Sequence, residues 1–412
     1  MLDIKYIREN TGRVIEALAN RRDSTNLEDV LGVDNERRKR VSELEELRRL
    51  KKELARQNQV SAERGRQLRS DIKLLEEEVR GLDNRLNELL LRIPNVPQVT
   101  VPVGSSEEDN IVLRSWGEPR NATFPLKPHW DLGESLGIIS FDWGVKLSGT
   151  RFYVLKGAGA RLQRALITFM LDVHTRENGY QEIYPPFMVK RECMFGSGNL
   201  PKFADNLYHD KEDDLWFVPT AEVPITNLHR DEIINPGILP LYYVAYTACF
   251  RREKMSAGKD TRGIKRGHQF DKIEMYKITE PASSNEELGG MVSNAESICQ
   301  KLELPYRILE LCTADLGFAS TKSYDVEMWA PGCREWLEVS SCSNCGDFQA
   351  RRTNIRYRAA PGTKPHFVNT LNGSGLALPR VLIAVMENYQ NADGTITVPE
   401  ALQPYMGSKL IE

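Results

Sequence analysis

Residues 243–279 read YVAYTACFRR EKMSAGKDTRGIKRG HQFDKIEMYKIT, and this stretch decides the fold. Tyr243 to Arg252 is dense in aromatic and small residues, a strand composition. From His268 to Thr279 a second strand places Phe270, Lys272, Glu274 and Tyr276 on one side, because side chains alternate along a strand. The intervening Lys254–Gly267 segment is basic and contains three glycines. Two strands joined without a helix pair antiparallel, since parallel strands require a long crossover.

Working outward, Leu162, Ala165, Leu166, Phe169, Met170 and Val173 mark one face of a helix at the 3.6-residue period, with Gly179 as its expected C-terminal cap. Tyr180–Tyr184 reads as a strand closed by Pro185-Pro186. Downstream, Ser284 and Glu287 have the spacing of a capping box for a helix running to about Lys301. Strands are expected near Tyr324–Trp329 and Trp336–Ser341, and a last helix over Leu376–Tyr389. This order gives an α+β domain with a mainly antiparallel sheet. Neither GxxxxGK nor GxGxxG occurs in a strand–loop–helix setting, so phosphate recognition here needs another device.

The N-terminal part is different. Leu68, Ile72, Leu75, Val79, Leu82, Leu86, Leu89 and Ile93 alternate spacings of 4 and 3, which is a heptad seam. Val41, Leu44, Leu47, Leu50 and Leu54 form a less regular seam before it, and Ser61–Gly65 is a short polar break. Two long helices with a short connection run antiparallel. Residues 36–92 therefore read as a coiled-coil hairpin of about 26 residues per helix, roughly 40 Å long. Such a hairpin has two natural uses, a dimerisation zipper or an arm that reaches a large partner. Pro94, Pro97 and Pro102 stop the helix, and the division falls near residue 100, giving domains 1–100 and 101–412.

Hydrophobic residues make up 41% of the 412 and charged residues 27%, as in ordinary globular proteins. No apolar run is long enough for a membrane helix, and Met1–Asn20, with Asp3, Lys5, Arg8 and Glu9, lacks the apolar core of a secretory leader. A cytoplasmic protein with no membrane partner is expected. Seven cysteines are too few and too scattered for a disulfide framework. The net charge of −3 conceals an uneven distribution: residues 36–92 carry 16 Lys/Arg against 12 Asp/Glu. A mildly basic hairpin on an acidic body suits contact with a phosphate backbone or, equally, a solvated helix surface.

The chemistry-bearing residues cluster around the opening stretch. Phe250-Arg251-Arg252-Glu253 ends one strand and Arg266-Gly267-His268-Gln269-Phe270 opens its partner, so the hairpin brings two guanidinium groups, a carboxylate and an aromatic ring together. That set can grip phosphate oxygens and stack on a base. On composition alone, cross-strand ion pairs of little energetic weight are the commoner use of such a set.

Three segments resemble the signature motifs of class II aminoacyl-tRNA synthetases. Gly179-Tyr-Gln-Glu-Ile-Tyr-Pro-Pro186 is similar to motif 1, Phe250–Phe270 to motif 2, and Gly373-Ser-Gly-Leu-Ala-Leu-Pro-Arg380 to motif 3. Thr220-Ala221-Glu222, Ser256–Gly263, His268–Lys272 and Glu338-Val-Ser-Ser-Cys-Ser-Asn344 resemble the seryl-tRNA synthetase subgroup over essentially the whole chain. The resemblance implies an antiparallel sheet of six to seven strands flanked by helices, in a homodimer joined through motif 1. It implies activation of L-serine by ATP to seryl-adenylate and transfer to tRNA(Ser), with tRNA(Sec) as a further acceptor. For ATP it implies Arg251, Arg252, Glu253, Arg266, Phe270, Glu338, Val339, Ser340, Ser341 and Arg380, with Arg251 and Arg380 as the catalytic cations. For serine it implies Thr220, Ala221, Glu222, Arg251, Glu274 and Ser374, and for Mg²⁺ bound with ATP it implies Glu338 and Ser341. In such a family the hairpin lies across the tRNA and senses its long variable arm. Arg37-Arg38-Lys39-Arg40, Arg48-Arg49 and Lys51-Lys52 are then the phosphate contacts.

Cys342-x-x-Cys345 with Cys333 nearby touches on zinc, but a single CxxC without a second pair is a weak metal pattern, and no zinc is expected. Pro379 stands in motif 3 where glycine is common in relatives, and proline is tolerated in a helix's first turn. A paralogue that hands seryl-adenylate to an acceptor other than tRNA would have no use for the hairpin. A catalytically dead relative would have no use for Arg251, Glu253, Glu338 and Arg380, all of which are present.

Overall fold

The computed structural model describes residues 1–56, 61–254 and 261–412; Ser256–Asp260 of the basic loop lie outside the described residues. The chain forms two compact units, Met1–Pro94 and Asn95–Glu412.

In the first unit, helices Leu27–Arg56 (α1) and Ala62–Leu90 (α2) form the hairpin. It starts earlier than the apolar pattern indicated. Of the expected Ser61–Gly65 break, Ser61 instead caps α2 by accepting a hydrogen bond from the Arg64 N–H at 3.2 Å, and Ala62–Gly65 are already helical. The seam residues Leu44, Leu68, Ile72 and Leu86 are buried, while their helix neighbours are largely exposed. Arg40–Glu78 at 3.3 Å and Arg48–Glu76 at 2.7 Å join the helices, and Arg37 pairs with Asp83. One partner advances along α1 as the other retreats along α2, which is antiparallel packing. Three of the arginines assigned to phosphate are therefore engaged inside the hairpin. Arg38, Lys39, Lys51 and Lys52 remain exposed.

The second unit is built on an eight-stranded sheet. Its strands in chain order are Ile111–Trp116 (β1), Gln181–Ile183 (β2), Leu241–Phe250 (β3), Gln269–Thr279 (β4), Tyr306–Glu310 (β5), Lys322–Ala330 (β6), Glu335–Asn344 (β7) and Asn369–Ala377 (β8). Their spatial order is β1-β5-β6-β7-β8-β4-β3-β2. Every pair is antiparallel except β2 with β3. Eight strands stand where six to seven are implied by the resemblance. The class is α+β: a helical hairpin and a catalytic-type domain of antiparallel sheet flanked by helices.

Helices His129–Ser135 (α3), Ala158–Arg176 (α4), Ser284–Lys301 (α5) and Leu378–Asn388 (α6) flank the sheet. Leu162, Leu166, Met170, Met275, Met291, Ile298, Val381 and Val385 are among the buried side chains of one apolar cluster. α4 is capped at Glu177, two residues before Gly179, whose φ of 74° takes the turn into β2. The capping box does not form: Ser283 occupies the cap, and the Ser284 hydroxyl donates to the Pro281 carbonyl at 3.0 Å. Glu287 is drawn away by Lys277 at 2.8 Å and the Tyr242 hydroxyl at 2.7 Å, charge-assisted bonds stronger than the cap. Leu376 and Ala377 belong to β8 rather than to the last long helix, and Pro379 fits the first turn of α6.

Candidate active site

β3 and β4 pair Cys249 with Phe270 and Ala245 with Glu274, and β8 places Ser374 beside Glu274 on the other side. The two-residue period then sets Phe270, Lys272 and Glu274 in a row along the floor of a cleft of about 550 Å³. Motif 2, motif 3 and the 220–222 segment all reach it. Its walls include Arg251, Glu253, Arg266, Glu338, Ser341 and Arg380.

At one end, the Arg251 guanidinium lies 5.1 Å from the centre of the Phe270 ring, and its Nε donates to the Pro219 carbonyl at 3.1 Å. Glu253 has a φ of 50° and stands 3.8 Å from Arg266. Arg380 donates to the Glu338 carbonyl at 2.6 Å and lies 3.3 Å from its carboxylate. Several cations thus converge on one space, with an aromatic face on its floor.

The other end is narrower and polar. Thr220 donates to Glu274 Oε2 at 2.7 Å, and Lys272 pairs with the same oxygen. Glu222 Oε1 accepts from Gln349 at 2.6 Å and from Asn372 at 3.1 Å. Burial, and then the nearby Glu274 charge, push the Glu222 carboxyl up to about 7, against the opposing effect of Lys272. A small zwitterion with a hydroxyl would meet two carboxylates, a lysine and hydroxyl groups here.

Glu338 and Ser341 are three residues apart, which on a regular strand puts them on opposite faces. β7 is irregular: Ser340 opposes Val326 and Glu338 opposes Glu327, so Val339 is an extra residue. This bulge brings Glu338 and Ser341 to the cleft together. Behind them, burial and the Glu338 charge push the Asp325 carboxyl well up, and its Oδ1 has no hydrogen-bond partner among the described residues.

Four sequence-derived candidates do not present side chains to the cleft. Val339 and Ala221 are fully buried, and Ser340 turns back to donate to the Ser374 carbonyl at 2.5 Å. Arg252 follows Arg251 on the opposite side of the chain, stacking on Tyr208 at 4.4 Å and donating to the Leu207 carbonyl at 2.9 Å. Conversely, Lys265, Lys272 and Asn372 line the cleft without having been singled out as ligands. Lys272 was legible from its alternation with Phe270 and Glu274. Asn372 belongs to a strand whose residues gave no strand signal. The cysteines of the CxxC are apart in their contacts: Cys342 meets the Ser340 hydroxyl at 3.5 Å, and Cys345 accepts from Asn372 at 3.3 Å. Cys333 lies with His129 and Glu387.

Residues 203–389 match the family described as tRNA synthetase class II core domain (G, H, P, S and T), and residues 1–97 match the seryl-tRNA synthetase N-terminal domain. A serine–tRNA ligase of Dehalococcoides mccartyi is 60% identical over 412 residues, covering all of both chains. The chain belongs to the seryl-tRNA synthetase family. Another serine–tRNA ligase, from Herpetosiphon aurantiacus, is 54% identical over 99% of each chain. The crystal structure of seryl-tRNA synthetase from Pyrococcus horikoshii complexed with ATP superposes with a TM-score of 0.94 at 38% identity, covering 100% of this chain and 99% of that one. Membership makes the reaction serine–tRNA ligation at the expense of ATP, with AMP and pyrophosphate released. Among the described residues, no helix is long and apolar enough to cross a membrane.

Proposed function

We propose that this cleft binds ATP at the Arg251–Phe270–Arg380 end and L-serine at the Thr220–Glu222–Glu274 end, makes seryl-adenylate, and passes serine to tRNA(Ser). The observation that carries the reading is the convergence of both side-chain sets on one cavity. Adenine stacks on Phe270, with Glu253 beside it, while Arg251, Arg266 and Arg380 receive phosphate oxygens. The serine carboxylate attacks the α-phosphorus and pyrophosphate leaves. Negative charge concentrates as the bond forms, and Arg251, which lies over Phe270 and whose charge also reaches Glu222, contributes more in the transition state. Positioning supplies the remainder, and no protein nucleophile is required. The tRNA ribose hydroxyl then attacks the adenylate carbonyl, releasing AMP.

Serine is distinguished from alanine by groups that need its hydroxyl. Glu274 and Ser374 are neighbours in register, and an analogue without the hydroxyl leaves buried polar atoms unpaired. Glu338 and Ser341 offer oxygen donors, and Asp325 behind them keeps an unsatisfied buried oxygen, a set that fits Mg²⁺. The ion, bound with ATP, would neutralise phosphate charge.

The exposed basic residues of the hairpin suit contact with the tRNA backbone. A partner read by shape admits tRNA(Sec) as a second acceptor. Trp143, Leu147 and Tyr184 are 55%, 75% and 79% exposed, and β2 ends the sheet, which supports a homodimer through the motif 1 region. The free thiols and the substrates suit the cytoplasm. Aminoacylation of total tRNA with each amino acid in turn tests the proposal. Serine alone should be charged, and preferential charging of any other amino acid overturns the reading.

A further inference from the structure

We infer that His129, outside the cleft, is a positioning residue that holds the Ile264–Arg266 wall against ATP. His129 and Glu387 are both fully buried, on α3 and α6. The backbone N–H of Ile264 donates to His129 Nε2 at 3.1 Å. A backbone amide can only donate, so Nε2 is the acceptor and the ring proton lies on Nδ1. Nδ1 in turn donates to Glu387 Oε1 at 3.0 Å. The same carboxylate accepts from the His129 N–H at 2.9 Å, the Cys333 thiol at 3.0 Å and, through Oε2, the Cys333 N–H at 2.9 Å. Burial raises the Glu387 carboxyl, but these donors outweigh it and hold the group below its ordinary range. Glu387 thus fixes the histidine tautomer, and the histidine presents one acceptor to one amide.

That amide is at a mechanically important place. Ile264 is buried in the main apolar cluster, and Lys265 and Arg266 follow it directly into the cleft wall. Trp130, next to His129, stacks with Arg262 at 5.4 Å and Lys265 at 5.6 Å, and Lys265 also pairs with Glu335. Gly263 has a φ of 69°, and a Cβ there would lie 2.0 Å from His129 Nε2. Only glycine lets the chain approach the ring closely enough for the Ile264 bond. The cluster of His129, Cys333 and Glu387 has ligand atoms close enough for a metal, but each is already paired within the protein. The arrangement is a hydrogen-bonded brace for the C-terminal stem of motif 2.

The inference rests on the reading that Arg266 faces ATP. Its test uses two substitutions that divide the imidazole. His129→Asn keeps a donor near Nδ1 and removes the acceptor; His129→Gln keeps an acceptor near Nε2 and removes the donor to Glu387. In ATP–pyrophosphate exchange, His129→Asn should raise KM for ATP at least fivefold, with KM for serine within twofold. His129→Gln should stay within twofold on both, while lowering the melting midpoint at least as much as His129→Asn, because it strips a buried carboxylate. A KM for ATP that simply follows the melting midpoint, or does not change in His129→Asn, overturns the inference. Gly263→Ala is the second variant, expected to raise KM for ATP as His129→Asn does; an unchanged value also overturns it. Arg266→Ala separates the two claims. If it raises KM for ATP and His129→Asn does not, only the brace fails. If neither does, the placement of ATP at this wall fails and the brace falls with it.

Discussion

Glu222 offers a proton count that tests the serine end of the cleft. Its carboxyl is raised from 4.5 to about 7 by burial and by Glu274, so the empty site is partly protonated at neutral pH. A serine ammonium placed beside it favours the charged form, so binding must expel the proton. With a value of about 7, the expected release is about 0.9 proton per serine at pH 6, about 0.5 at pH 7 and about 0.1 at pH 8. Calorimetric titration of serine in buffers of different ionisation enthalpy reads this number directly. Serine affinity should accordingly strengthen as pH rises from 6 and level off above about 7.5. Glu222→Gln removes both the release and the slope. The stability sign is fixed by the same shift. A carboxyl raised on folding contributes fully below its unfolded value of 4.5, and that contribution is lost as pH rises through about 7. Since Glu222 is only half-buried at the cleft wall, about 3 kcal/mol is the ceiling for that loss, and Glu222→Gln should be the more heat-stable protein at pH 8. Buffer-independent heats at pH 6, or a release that persists in Glu222→Gln, would refute the placement of the ammonium.

Three further outcomes are expected. Arg251→Ala should lower serine-dependent ATP–pyrophosphate exchange by about 10²–10³-fold, the usual loss for a transition-state charge partner, with the oligomeric state by light scattering unchanged. Reversing Arg38, Lys39, Lys51 and Lys52 to Glu should cut kcat/KM for tRNA at least tenfold and flatten its salt dependence, leaving exchange intact; equal loss in the exchange assay would show a folding defect instead. Glu338→Gln should raise the Mg²⁺ concentration needed for half-maximal exchange several-fold, and an unshifted Mg²⁺ curve would remove Glu338 from the metal's reach.

The readable parts of this sequence are those where one local rule acts alone. The seam from Leu68 to Leu89 packs on the facing helix, so its spacing separates covered from exposed positions: Leu68, Ile72 and Leu86 are buried and Leu75, Val79, Leu82 and Leu89 half-buried, while Ile93 lies past the helix end at Leu90. The β3–β4 hairpin obeys alternation, so Phe270 and Glu274 could be placed on one face before any coordinates, and Lys272 with them. Motif resemblance named further residues, of which Arg251, Glu253, Arg266, Glu338, Ser341 and Arg380 line the same cleft. It could not say which members of a motif turn inward. Arg251 and Arg252 are adjacent and chemically alike, yet one lies over Phe270 and the other over Tyr208, both just past the end of β3 at Phe250.

What stayed hidden depends on interactions distant in the chain. β8, Asn369–Ala377, has the residues of a loop, Asn-Thr-Leu-Asn-Gly-Ser-Gly, and is a strand because β4 and β7 pair with it on both sides. Its glycines are set by closeness of packing: a Cβ at Gly373 would meet Cys342 Sγ at 2.7 Å, and one at Gly375 would meet His174 Nε2 at 2.6 Å. The Ser284–Glu287 pattern had the right spacing for a cap and lost to Lys277, which lies on a neighbouring strand. The Val339 bulge has no sequence mark at all, yet without it Glu338 and Ser341 would face opposite sides of the sheet. Spacing of three along a strand is thus a sign of irregular register whenever both residues must meet one ligand. That argument runs from chemistry to backbone. Deleting Val339 should therefore restore regular pairing, turn Ser341 away from Glu338, and abolish exchange while the sheet persists by circular dichroism. If the deletion retains exchange, the bulge is not what brings these two oxygens together.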